Sequence, residues 1–172
     1  MSDNAPAMSP LRDIIRKAID LAEKIPHSLT ALLLRFGIAG VFWKSAITKL
    51  TFDNGKPEGL ISEFMSVLSF NWSISDSAYM LFQYEYDVPL LPYRLATHLG
   101  TAAELIFPVL LVFGLFTRFA ALSLLGMTAV IQFFVYPHLW LVHVLWAGAL
   151  FYLLAKGAGL VAIDRPLKNK FL

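Results

Sequence analysis

Four long apolar runs constrain this chain more than any other feature of its sequence. They cover 29–50, 93–116, 119–136 and 139–161, each near the ~20 residues that carry an α-helix across a bilayer. Hydrocarbon offers the backbone no hydrogen-bond partner, so such runs fold as helices that close their bonds internally. They are too apolar and too long for strands. The chain is 58% hydrophobic and 15% charged, against roughly 45–50% and 25% in soluble domains. At 172 residues the expectation is one all-α domain, 1–172, built as an integral membrane four-helix bundle.

The residues outside the runs are patterned too. In the arm 1–27, Leu11, Ile14, Ile15, Ala18, Leu21, Ala22 and Ile25 recur at helical spacing among Arg12, Arg16, Lys17, Asp20, Glu23 and Lys24. Ser9-Pro10 supplies a cap followed by proline at the first helical position. This reads as an amphipathic helix on the membrane surface, or as a solvated helix packed on the bundle. The arm lacks the uninterrupted apolar stretch of a secretory signal. The long connection, 51–92, holds an amphipathic stretch from Glu58 to Phe70 and then Trp72, Tyr79, Phe82, Tyr84 and Tyr86. Such loops in small bundles are often lids, and this one is expected to be partly helical and to fold over the bundle mouth.

Basic residues set the orientation. Arg12, Arg16, Lys17, Lys24, Arg118, Lys156, Arg165, Lys168 and Lys170 fall on one side; only Lys49, Lys56 and Arg94 fall on the other, beside Asp53, Glu58, Glu63, Asp76, Glu85 and Asp87. Nine against three places both termini in the cytoplasm and 51–92 outside. The expected location is a bacterial inner membrane.

Three segments together resemble a known family. Arg35-Phe36-Gly37-Ile38-Ala39-Gly40, running on to Lys49-Leu50, resembles the first helix of DoxX-type membrane proteins. Glu104 and Gly114-Leu115-Phe116-Thr117-Arg118 resemble that family's second helix and its short turn. Gly157-Ala158-Gly159, closing on Asp164-Arg165, is similar to its final Gly-x-Gly…Asp-Arg segment. The resemblance implies a four-helix membrane protein. Some relatives are linked to quinone-coupled oxidation of sulfur compounds or to maturation of exported redox enzymes.

The polar residues inside the runs locate any site. A carboxylate near mid-membrane costs roughly 2.5–3.5 kcal/mol to insert, so Glu104 must face other helices and find a partner. Counting inward at 1.5 Å per residue, Lys44, His98, Gln132 and His143 share one layer about five residues deep, with Glu104 below it. Arg35 rises from the opposite side. One reading is a polar pocket with Glu104 as its floor, His98 and His143 as hydrogen-bonding or proton-transfer groups, and Trp43 and Trp140 among its walls. A quinone headgroup, with two carbonyl acceptors and a need for protons, suits such donors. The other reading is internal pairing of Glu104 with Arg35 or Lys44. Lys49, at the end of its helix, is expected to snorkel. The histidines lack metal-ligand spacing, so no metal is expected.

The chain has no cysteine, which removes disulfides, thiol catalysis, haem c attachment and Cys-ligated iron–sulfur clusters. The function expected is a small membrane subunit of a redox system, coupling or anchoring a partner oxidoreductase at the quinone pool. The alternative is a non-catalytic scaffold or maturation factor for an exported protein. Four helices without visible internal symmetry make a thin transport path. The expected partners are the lipid bilayer and a partner protein or second copy, with no nucleic acid.

Overall fold

Each apolar run becomes one membrane-length helix in the computed structural model, which describes residues 10–86, 88–89 and 91–166. Asp87, Ser9, Lys168 and Lys170 lie outside the described residues. After the arm helix α1 (Pro10–Glu23) come α2 (His27–Thr48), α5 (Tyr93–Phe113), α6 (Thr117–Val130) and α7 (Trp140–Lys156). A π-helical turn, Ile131–Val135, extends α6, and a 3-10 turn, Pro137–Leu139, leads into α7. The spans are 22, 21, 19 and 20 residues long. The protein is an all-α membrane bundle. The fourth run ends earlier than its hydropathy suggests, because the chain turns at Gly157 and folds back beneath the bundle.

The helices form a ring in which α2 packs on α5 and α7, and α6 closes it against both. Where they meet, the core is built from Ala31, Ala39, Ala120 and Ala121, interleaved with Phe42, Leu111, Leu124, Leu150 and Leu153. Alanine lets helices approach closely, and dispersion between interlocked side chains then holds them. Outward, Leu33, Phe36, Phe119, Leu145 and Phe151 are exposed, as a lipid-facing surface requires. Helix α1 is exposed along its length, with Ile14, Ile15, Ile19 and Leu21 uncovered; its strong amphipathicity is the pattern of a surface helix.

The long connection divides in two. Residues Leu50–Phe52 (β1) and Trp72–Ile74 (β2) form an antiparallel ribbon, with Leu50 opposite Ile74 and Phe52 opposite Trp72, a feature the sequence reading did not anticipate. Between them, α3 (Leu60–Leu68) lies along the side of the bundle. Its Phe64 and Val67 join Trp43, Ala46, Ile47 and Leu105 in a second apolar cluster. Only the following segment covers the mouth: α4 (Asp76–Met80), capped by Ser75, continues into a π-helical turn, Leu81–Tyr86. It docks where α5 has no side chain. A Cβ at Gly100 would come within 2.9 Å of Phe82 Cζ. The expectation that the whole loop folds over the mouth therefore holds for its second half only; α3 instead packs Phe64 and Val67 against α2 and α5.

Candidate functional site

Glu104 is buried, as a carboxylate at this depth must be, and its partner is Lys49. Lys49 Nζ donates to Glu104 Oε2 at 2.7 Å and to Ser45 Oγ at 2.8 Å, while Ser45 Oγ donates to Glu104 Oε1 at 3.0 Å. Both charged side chains are over nine-tenths buried. The expected pairing with Lys44 or Arg35 is thus corrected, as is the expectation that Lys49 snorkels. The reason is angular. Successive residues turn about 100° around a helix, so Ser45 and Lys49, four apart, share the face of α2 that meets α5. Lys44 turns outward to α3, where it pairs with Glu63, whose Oε2 also accepts from Trp43 Nε1 at 3.1 Å.

Arg35 is remote from Glu104. Its Nε donates to the Leu111 carbonyl at 2.6 Å, Nη2 to Val112 at 2.5 Å, and Nη1 to Ala158 at 3.1 Å and Val161 at 2.6 Å. The guanidinium joins two carbonyls at the C-terminal end of α5, where the helix dipole also favours a cation, to two of the closing segment.

Above Glu104 lies a cavity of about 520 Å³ at the loop end of the bundle. All four spanning helices line it: Phe42 and Ser45 from α2, Gly100 and Glu104 from α5, Met127 from α6, His143 and Trp146 from α7, with Phe82, Tyr86 and Tyr136 at the mouth. The π-helical turns Leu81–Tyr86 and Ile131–Val135 both reach its wall, and such turns often re-aim side chains at functional sites. At the mouth, Tyr86 meets Phe82 and Tyr136 edge-on, at 4.8 and 5.7 Å between ring centres. Tyr136 donates its hydroxyl to Glu85. Burial raises the Tyr86 phenol above its ordinary range and, with the Glu85 carboxylate, raises Tyr136 further, so both stay protonated.

His143 is oriented by a relay. Gln132 Nε2 donates to the Pro137 carbonyl at 3.0 Å, and its Oε1 faces His143 Nδ1 at 2.7 Å. A carbonyl can only accept, so the amide group must point at Pro137, which leaves oxygen toward the imidazole. Nδ1 therefore carries the hydrogen, and in the neutral ring Nε2 presents a lone pair. Trp146 packs on the ring at 5.3 Å.

Of the layer expected from depth, only His143 lines this cavity. His98 is corrected to a position on the exposed flank of α5, where Nδ1 meets the Arg94 carbonyl at 2.7 Å and Nε2 meets the Tyr79 hydroxyl at 3.3 Å. Lys44 points away, and Gln132 acts through His143 rather than from the wall. Trp140 is exposed, and Trp43 belongs instead to an apolar groove between α2, α3 and α5. Equal depth put these residues in one layer; helix rotation scattered them around it. Sequence reasoning missed Ser45 and Lys49, whose four-residue spacing beside alanine was the available signal, and Tyr86 and Tyr136. Among the described residues, no three of His, Cys, Asp and Glu gather as metal ligands.

Residues 30–137 match the DoxX family model. The chain belongs to the DoxX family. It is also similar to an uncharacterized protein of Haemophilus influenzae, 27% identical over 157 residues that take in 86% of this chain and 89% of that protein. No solved structure matches it. In this DoxX protein the closing Gly-x-Gly…Asp-Arg segment serves the end opposite the cavity. Asp164 accepts from the backbone N–H groups of Phe116 and Thr117 at 2.6 and 2.9 Å, capping α6. Gly114 ends α5 in the left-handed conformation, φ 63°, and a Cβ there would stand 2.6 Å from that of Ala162. Arg35, Asp164 and Gly114 lock the far end of the bundle.

Proposed function

We propose that this DoxX protein is the membrane component of a redox system, holding the headgroup of a quinone-type lipid in the cavity and anchoring a partner oxidoreductase there. The observation that carries the reading is the composition of the cavity: apolar walls over a polar floor of Glu104, Ser45 and His143. Its volume falls within the ~300–1,000 Å³ of small-molecule sites. Leu99, Val130 and Val142, on its lining, are exposed on the bundle surface, leaving an apolar route for a lipid tail. Bound there, such a headgroup would supply exchange of electrons together with protons. Ser45 and His143 would hold its oxygens, and Glu104, balanced by Lys49, would fix the floor. The cavity mouth would face outward, with both termini cytoplasmic.

A second reading, a non-catalytic scaffold or maturation factor, draws support from the same pair: Glu104 is already neutralised by the chain itself. Co-purification separates the two. Protein extracted in mild detergent should carry quinone detectable by chromatography of its lipids, and His143→Phe should lose it while remaining monodisperse. His98→Ala, outside the cavity, should retain it. Wild-type protein free of quinone, in membranes that contain it, would leave the scaffold reading.

A further inference from the structure

Helix α3 is apolar on two sides, and the bundle covers only one of them. Phe64 and Val67 face inward, in the cluster with Trp43 and Leu105. On the other side Leu60, Ile61, Met65 and Leu68 are each more than half exposed, Ile61 the most at 81%. Ser62 is the polar residue exposed among them, and Phe70, just past the helix end, is exposed as well. The one charged residue of this helix, Glu63, is withdrawn from that face. It is buried, paired with Lys44 and bonded to the Trp43 N–H. A contiguous exposed apolar face marks contact with a membrane or with another protein.

Depth identifies which. Leu60 and Ile61 line a groove of about 300 Å³ together with Phe36, Gly40 and Trp43 of α2 and Pro108 of α5. Counting back from Thr48 at about 1.5 Å per residue, Trp43, Gly40 and Phe36 lie roughly 8, 12 and 18 Å below the loop end of α2. The hydrocarbon core is about 30 Å thick, so the groove lies at the depth of the loop-side leaflet. No charged residue, hydroxyl or side-chain amide lines it, and its one polar side-chain hydrogen, on Trp43, is given to Glu63. Phe36, on the same wall, is exposed as a lipid-facing residue of a spanning helix. The outward face of α3 is therefore continuous with a surface already in hydrocarbon. The nine residues of α3 rise about 14 Å, half a bilayer, which suits a segment that enters and returns rather than one that crosses. The four residues from Lys56 to Leu60 reach about 13 Å when extended, enough to bring Lys56 back to water.

We infer that α3 is a membrane-embedded element, its face of Leu60, Ile61, Met65 and Leu68 covered by acyl chains of the loop-side leaflet. The inference holds for either orientation of the chain, and with or without a quinone in the cavity. It also accounts for the pairing of Glu63. An unpaired carboxylate would hold α3 at the interface, whereas one matched by Lys44 and by the Trp43 N–H can go below it. Lys44, near the loop end of α2, runs its apolar stem along the groove side and keeps its ammonium toward the headgroups. Backbone at this depth must close its own hydrogen bonds or lie against protein. Helix α3 does both, being helical and packed on α2 and α5.

The test is electron paramagnetic resonance of the full chain in nanodiscs, with a nitroxide on one introduced cysteine at a time; the chain has none of its own. Molecular oxygen concentrates in hydrocarbon, and a charged nickel chelate stays in water. Labels at Ile61→Cys and Met65→Cys are expected to collide freely with oxygen and to lose collisions with nickel. A label at Phe151→Cys, on the exposed face of α7, should behave the same way, and one at Lys56→Cys should show the reverse. Nickel collisions at positions 61 and 65 as frequent as at position 56 would place α3 in water and overturn the inference. Protection from both reagents would overturn it too, by placing a protein, such as a second copy, on the face. Both labelled side chains are exposed, and either position alone decides the outcome should the other variant fail to fold.

Discussion

Replacing Glu104 with Gln removes one charge from the bundle and almost nothing from its shape. In the wild type, Lys49 Nζ has three oxygens around it: Glu104 Oε2 at 2.7 Å, Ser45 Oγ at 2.8 Å and the Ser45 carbonyl at 3.3 Å. After the change the two Ser45 oxygens remain, but the ammonium is left without a counter-charge behind a wall that exposes about 3% of the residue. Breaking a buried pair from one side costs about 3–5 kcal/mol, and the surviving Ser45 contacts place this case near the lower end, about 3 kcal/mol. For a chain of this size, about 2–4 °C per kcal/mol makes that a fall of roughly 6–12 °C in Tm. Thermal melting of the detergent-solubilised protein, followed by intrinsic fluorescence, reads it directly. The double variant Lys49→Met/Glu104→Gln should recover most of the loss, because the stranded charge is gone. Lys44→Met leaves the buried Glu63 carboxylate with the Trp43 N–H as its remaining partner and should cost less than Glu104→Gln, about 1–3 kcal/mol. An unchanged Tm in Glu104→Gln, or a double variant no better than the single, would refute a buried Glu104–Lys49 pair that matters to the fold.

Arg35→Lys should destabilise the far end by about 2–4 kcal/mol despite conserving charge, since one ammonium cannot reach four carbonyls on two segments; survival of a heat step, scored by size-exclusion, checks it, and a loss under ~1 kcal/mol would show the fork is dispensable. Orientation is open to cysteine labelling in this cysteine-free chain. An impermeant thiol reagent should modify Lys56→Cys in intact cells and spare Lys168→Cys, and the reverse pattern would invert the proposed topology.

How far the sequence could be read depended on whether a property is local. Spanning segments were legible because insertion free energy adds up residue by residue along a run, with no knowledge of neighbours. Glu104 was legible as a buried, partnered group for the same reason. Its partner was not. Lys44 and Lys49 lie on the same helix, five residues apart, and only the packing of Ala46 and Ile47 against Leu105 decided which of them turned toward α5. Depth likewise put His98 and His143 in one layer, while rotation sent one to the exposed flank and the other into the cavity. Helix α3 could be foreseen as amphipathic, but not that its apolar face would bury Phe64 on the side of the bundle rather than over the mouth. The tautomer of His143 is further still from the sequence, since it hangs on a glutamine eleven residues away and on a proline carbonyl that fixes that glutamine. Hydropathy determines what crosses the membrane; the rotation of each helix about its own axis, set by contacts between distant segments, determines what meets inside it.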